Sequence, residues 1–271
     1  MEKCSGISTP PFMQSLFPLP LALLMLSGIG LCVAMFLCSL LGYRLGLRRK
    51  DGIDGQFGII ETATLGLVAL LLAFTFQVAI SRFEEGRQLI VEEANAIGTA
   101  YLRIDVLDPS DQPGMRDLFR TYVDARVRIF AMVAAGGDPD REIAQTRQLQ
   151  DRLWNGAVAA AKRAPTPSAS ILLLPAMNAM IDVTTSRLVN FRTHIPLLIK
   201  GLLFALAIIS SLVIGYAMGA GKGAGLVPAA IFAVVVSAVI YTILDLDSPR
   251  YGLIRLDAAQ QVFGDVRSSV H

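Results

Sequence analysis

Four runs of apolar, nearly charge-free sequence constrain this chain more than any other feature. They cover about Leu19–Leu41, Phe57–Ile80, Pro196–Met218 and Leu226–Leu244. Each is long enough, at 1.5 Å per residue, to cross a hydrocarbon layer of about 30 Å. Charged residues make up 17% of the chain, against roughly 25% in an ordinary soluble domain, and most of them fall in one central block. The chain therefore reads as an integral membrane protein, with the lipid bilayer as its first partner. With 24 basic and 22 acidic residues it lacks the basic field that nucleic acid demands, so no nucleic acid is expected.

The first run follows Pro18-Leu19-Pro20 and is longer than the apolar part of a signal peptide, with Lys3 the only cation before it. It reads as an uncleaved helix. A short connection, Gly42 to Gln56, carries Arg44, Arg48, Arg49, Lys50 and two Asp-Gly turn signals. The second run holds one acid, Glu61, and small or hydroxylated residues at Thr62, Ala63, Thr64, Gly66, Ala69, Ala73 and Thr75, which let helices approach closely in lipid. Gly219 to Gly225 joins the third and fourth runs. It has no preceding strand, and its Lys222 is not followed by Ser or Thr, so it reads as a hairpin and not as a phosphate loop.

Between Ser81 and Ile195 the period changes. Ile90, Ala94, Ile97, Tyr101 and Ile104 recur at spacings of four and three. So do Leu118, Tyr122, Ala125, Ile129 and Met132, and then Leu173, Met177, Met180, Thr184, Leu188, Phe191 and Ile195. These are amphipathic helical stripes. Breaks at 108–114, 136–139 and 164–167 divide the block into about four helices. Only Gly86 interrupts the pattern after Ile80, so the second span is expected to run straight on into the block. Pro196 marks the junction with the third span. The expected organisation is an N-terminal segment (1–18), a first transmembrane hairpin (19–80), a helical soluble block (81–195), a second hairpin (196–244) and a C-terminal tail (245–271). The fold class is all-α.

Four segments add a family resemblance: SRFEEGRQLIVEEANAIGTAYLR from Ser81 to Arg103, MNAMID from Met177 to Asp182, HIP from His194 to Pro196, and ILDLDSPRYGLIRL from Ile243 to Leu256. In that order they resemble the bestrophin-like domain family of bacterial inner-membrane proteins. Bestrophins are pentameric anion channels with four transmembrane helices per subunit and a helical cytosolic region between the second and third. The resemblance thus implies a homo-oligomer that conducts a small inorganic ion. Calcium-regulated bestrophins carry a dense acidic cluster after the last membrane helix. This chain has only Asp245 and Asp247 there.

Catalysis finds no foothold. His194 and His271 lack the neighbours of a metal or nucleophile site, and Cys4, Cys32 and Cys38 form no disulfide or metal pattern. No enzyme, metal or cofactor is expected. Asp245 and Asp247, at the polar end of the last span, read as anchors for arginines: Arg82, Arg87 and Arg103 on the soluble helices, Arg250 and Arg255 on the tail. The sharper alternative is a cation site to which Glu92, Glu93 or Asn95 adds oxygens. If a pore exists, Glu61, Leu65, Leu72 and Phe76 share the face of the second span expected to line it, with the apolar members as a wetting gate.

Orientation signals conflict. The cations of the first loop argue for that loop in the cytoplasm, whereas Arg82, Arg87, Arg187, Arg192, Lys200, Arg250 and Arg255 flank the opposite side. The larger count and the bestrophin plan both put the soluble block in the cytosol. A non-conducting scaffold or sensor, binding a partner through the soluble block, is the alternative function.

Overall fold

The computed structural model describes residues 21–48, 55–134, 137, 139–164, 167–221, 226–248 and 258–270. Arg250 and Arg255, with most of both short loops, lie outside the described residues. Those that are described form helices and no strands: α1 (Leu21–Leu47), α2 (Gly55–Leu102), α3 (Gln112–Ala134), α4 (Asp140–Arg163), α5 (Leu174–Arg192), α6 (Leu197–Ala220), α7 (Val227–Asp247) and α8 (Ala258–Ser269). A 3-10 turn follows α2 at Arg103–Val106, and a π turn precedes α5 at Ala169–Leu173.

Four of the helices are long and apolar enough to cross a membrane. Their outer faces carry exposed leucine, isoleucine, valine and phenylalanine, among them Leu26, Leu37, Phe74, Leu198 and Val234. Lipid can cover such faces where water could not. As the unbroken pattern through Ile80 implies, α2 is one helix of 48 residues, about 72 Å at 1.5 Å per residue. Its first half belongs to the membrane layer and its second half to the helical bundle beyond.

In the membrane layer, chain-consecutive helices are not the main packing partners. α1 packs most extensively on α6 and then on α7, while α2 leans on α6 and α7. Small residues make the α1–α6 crossing close. A Cβ placed on Gly42, Gly46, Gly215 or Gly219 would lie well under 3.0 Å from the backbone of the facing helix: Leu212, Tyr216, Ser39 and Tyr43 respectively. Ser39 and Ser211 complete the seam, both fully buried. This is the small-x-x-x-small mode, in which dispersion between touching backbones replaces a hydrophobic driving force that lipid does not supply. The sequence reading looked for small residues on the second span and did not single out this set.

The bundle is built from the second half of α2 with α3, α4, α5 and α8. The stripe residues Ile97, Tyr101, Ile104, Tyr122, Leu173, Met177 and Met180 form one core with Ala100, Phe119 and Leu153. α4 contributes Leu149, Leu153, Ala157 and Ala160. It starts with Asp140 and Glu142 and ends with Lys162 and Arg163, charges placed to suit the helix dipole. α8, from the C-terminal tail, packs against α2 and α3 and buries Phe263, with Val270 buried just after it. α5 ends at Arg192, and residues 193–196 break the chain before α6.

Candidate functional site

Two clusters around a buried carboxylate lie along α2, one where it meets α6 and α7 and one deeper in the bundle. The first closes the junction of α2, α5, α6 and α7. Asp247 is almost wholly buried at the end of α7. Its Oδ1 accepts the Ile195 backbone N–H at 2.9 Å and lies 3.9 Å from Arg82 Nε, while Oδ2 faces Lys200 Nζ at 2.7 Å. Arg82 also donates to the Thr193 carbonyl. One carboxylate thus ties the break between α5 and α6 to three separate helices. Asp245 is equally buried on the preceding turn.

The second cluster lies in the bundle core. Glu93 of α2 is completely buried. Arg126 of α3 reaches its Oε1 at 2.6 Å, and Arg187 of α5 pairs with Oε2. The Thr184 hydroxyl sits 3.5 Å from Oε1 and 3.1 Å from the Tyr122 hydroxyl, to which the Gln150 amide donates at 3.3 Å. Two guanidiniums against one carboxylate leave the group one positive charge in excess. Burial, offset by Glu93 and reinforced by Arg126, holds the Arg187 guanidinium below its ordinary range. Burial likewise pushes the Tyr122 hydroxyl up, so it stays neutral. The Arg187 guanidinium is also covered by rings, 4.0 Å from the centroid of Phe130 and 5.5 Å from that of Phe263, a cation–π arrangement that softens its desolvation.

The expected polar network therefore divides. Arg82 and Asp247 meet, together with Lys200. Glu93 lies eleven residues beyond Arg82 on α2, about 16 Å at 1.5 Å per residue, and belongs to the second cluster. Arg103 is at the far end of α2, donating to the Leu172 carbonyl at 2.8 Å. Glu92 and Asn95 point outward. Among the described residues no three acids, histidines or cysteines are placed to hold a metal ion. Sequence reasoning missed Lys200, Arg126 and Arg187 as partners. A usable signal was present for the last two: Arg126 and Arg187 fall on the apolar stripes of Tyr122 to Ile129 and Met180 to Phe191. A charge on a core stripe must find a counter-charge there.

On the membrane half of α2, Glu61 and Leu65 are partly exposed. Leu72 and Phe76 are partly buried on the side that meets α6 and α7. The face turned to the rest of the chain continues through Val68, Thr75, Ala79, Ile90, Ala94 and Ile97, all buried. On the opposite side Leu70, Gln77, Glu84, Gln88, Asn95 and Thr99 are exposed, with no helix of the described residues against them. One face of α2 is thus closed and the other open, over both halves of the helix.

A family model for the bestrophin-like domain matches residues 21–260. The chain belongs to the bestrophin-like family. This bestrophin-like fold is shared with solved bacterial bestrophin homologues from Klebsiella pneumoniae. A variant of that homologue with one aspartate changed to alanine superposes with a TM-score of 0.65 at 14% identity, covering 89% of this chain and 97% of that one. A second variant, with a tryptophan changed to alanine, gives 0.65 at 13%, covering 92% and 96%. A structure described as a membrane protein with a proline-to-alanine change gives 0.66 at 14%, covering 90% and 97%. At such identities the likeness is one of fold. No curated protein matches the sequence. For this bestrophin-like chain, four membrane helices and a helical bundle between the second and third are now shared architecture and not pattern alone.

Proposed function

We propose that the chain is one subunit of a homo-oligomeric ion channel whose path runs beside α2. The observation that carries this reading is the open face of α2. It extends from the membrane layer through the bundle, and in the second half it is polar: Glu84, Gln88, Asn95 and Thr99. In the membrane half the same face exposes Gln77, a polar side chain that lipid disfavours and a water-filled axis between copies accommodates. Five copies is the number that the bestrophin resemblance suggests, with the bundle in the cytosol of a bacterial inner-membrane protein.

Of the residues expected at the path, Glu61 and Leu65 share the face of Leu72 and Phe76 and so lie on the closed side of α2, away from the open face. Leu72 and Phe76 set the constriction from behind, by fixing how α2 seats on α6 and α7, while Leu70 and Gln77 face outward at the same depth. The conducted species is a small inorganic ion. The test is flux of halide and of alkali cation from liposomes holding the purified oligomer, over a range of calcium and pH. A stable oligomer that passes neither kind of ion removes the conduction reading. A monomer by mass measurement in detergent removes the axial path.

A second reading, a non-conducting scaffold, is favoured by one feature. Leu102, Ile171 and Leu172 are exposed by 69%, 64% and 42% at the far end of the bundle, gathered there by the Arg103 to Leu172 hydrogen bond. Replacing Leu102 and Ile171 with Asn abolishes partner capture on this reading and leaves flux intact on the first.

A further inference from the structure

The bundle's last helix, α8, rests on α2 and α3. Among its described side chains Phe263 is buried and Val262 and Val266 are partly covered, with Val270 buried just beyond its end. Its ionic anchor, Arg267 to Asp124 at 2.8 Å, joins side chains 61% and 40% exposed, which water screens strongly. The seam with α3 is not closed either: Arg120, Val123, Asp124, Arg267 and Val270 line an open recess of about 200 Å³. A short terminal helix with a solvent-screened ionic anchor and an open recess along its seam belongs to the low-stability end of a fold.

What α8 covers is the charge cluster of the bundle core. Phe263 stacks on Phe130 at 4.5 Å between centroids, and both rings lie against Arg187. Arg187 in turn holds Glu93 on α2. The Glu93, Arg126 and Arg187 group carries a surplus positive charge, so exposing Arg187 returns that charge to water. The regained hydration offsets the lost burial of Phe263 and Val270.

We propose that α8 is a releasable strap over this cluster. Docked, it lays a second ring on Arg187 and keeps the Glu93 carboxylate dry. Released, it uncovers Phe130 and Arg187, admits water to Glu93, and slackens the brace on the second half of α2. Because α2 continues into the membrane, the strap acts on the helix that borders the proposed path. That last step rests on the channel reading, and the first two do not.

Hydrogen–deuterium exchange on the full-length oligomer tests the strap directly, using the native sequence, Phe263→Ala and Phe263→Leu. In the native protein α8 amides are expected to exchange about tenfold faster than those of α3. Phe263→Ala should remove α8 protection and raise exchange severalfold in the segments around Glu93 and Arg187, leaving α4 unchanged, with Phe263→Leu between the two. Native α8 exchanging no faster than α3 overturns the proposal, and this holds even if the alanine variant fails to fold. So does loss of α8 protection with no change around Arg187. Liposome flux separates the readings. A native protein that conducts, with Phe263→Ala conducting equally, removes the link to the path. A native protein that does not conduct defeats the channel reading, and the exchange result still decides the strap.

Discussion

The two halves of α2 run through environments that hold helices together by different means. In the membrane half, neighbours are joined by close backbone approach. Glycines and serines at the α1–α6 crossing let main chains touch, and large apolar side chains are spread outward. In the bundle half the large side chains turn inward, with Phe119, Tyr122, Leu153 and Met177 fully buried. Water expels apolar surface and lipid does not, so the same α-helix needs opposite side-chain placement on either side of the boundary. Each half also buries an acid against cations, at Asp247 and at Glu93, and the two are not equivalent. The Asp247 partners, Arg82 and Lys200, keep about a quarter of their surface in water. The Glu93 partners are nearly or mostly enclosed.

The comparison is broken most severely at the glycine seam. Gly215→Val puts side-chain carbons into the Ser39 backbone, and neither helix can move aside cheaply. The variant should lose the monodisperse peak on size-exclusion chromatography, whereas valine at Gly98, which has open space around it, should elute as the native protein does. Next comes Glu93→Ala. It strands two buried guanidiniums and should cost about 3–5 kcal/mol in bundle stability by chemical unfolding. Ile97→Asn, which buries an unpaired amide beside that cluster, should also cost more than Leu72→Asn on the partly buried membrane face.

Asp247→Asn should be milder, about 1–3 kcal/mol, because Arg82 and Lys200 reach water. Its signature is local: faster amide exchange across residues 193–200, where the Ile195 N–H loses its charged acceptor, with α3 unaffected. The smallest effect is a titration. Burial raises the Tyr122 hydroxyl above its ordinary value near 10, so the folded state keeps the proton more tightly than the unfolded chain does. The stability this supplies is intact below about pH 10 and declines as pH rises beyond that point. Tyr122→Phe should remove that part of the alkaline loss in a pH series of unfolding midpoints. A native protein with no extra alkaline sensitivity over the variant would place Tyr122 in contact with water.

Much of the architecture was legible in advance because it rests on periodicity. The stripe from Ile90 to Ile104 is buried as a unit, as are most residues of the other two stripes, since a helix period maps directly onto one face. The unbroken α2 follows from the absence of a breaker after Ile80. The clusters were legible only in part. Arg82 and Asp247, expected together from their place at span ends, lie 3.9 Å apart. Glu93 was grouped with them because it is close in sequence, yet a rigid helix carried it well into the bundle.

Sequence by itself determined that this chain has four apolar spans, a helical block between the second and third, and a second span too regular to stop at the membrane surface. These are properties of hydropathy and period, which every stretch of chain expresses locally. Tertiary structure alone decided the rest: α1 seats on α6, Arg126 and Arg187 converge on Glu93, α8 returns to cover them, and α2 keeps one face open. Each of these depends on which distant helices meet. That choice is set by backbone approach and by the need to neutralise buried charge, and neither leaves a period in the sequence.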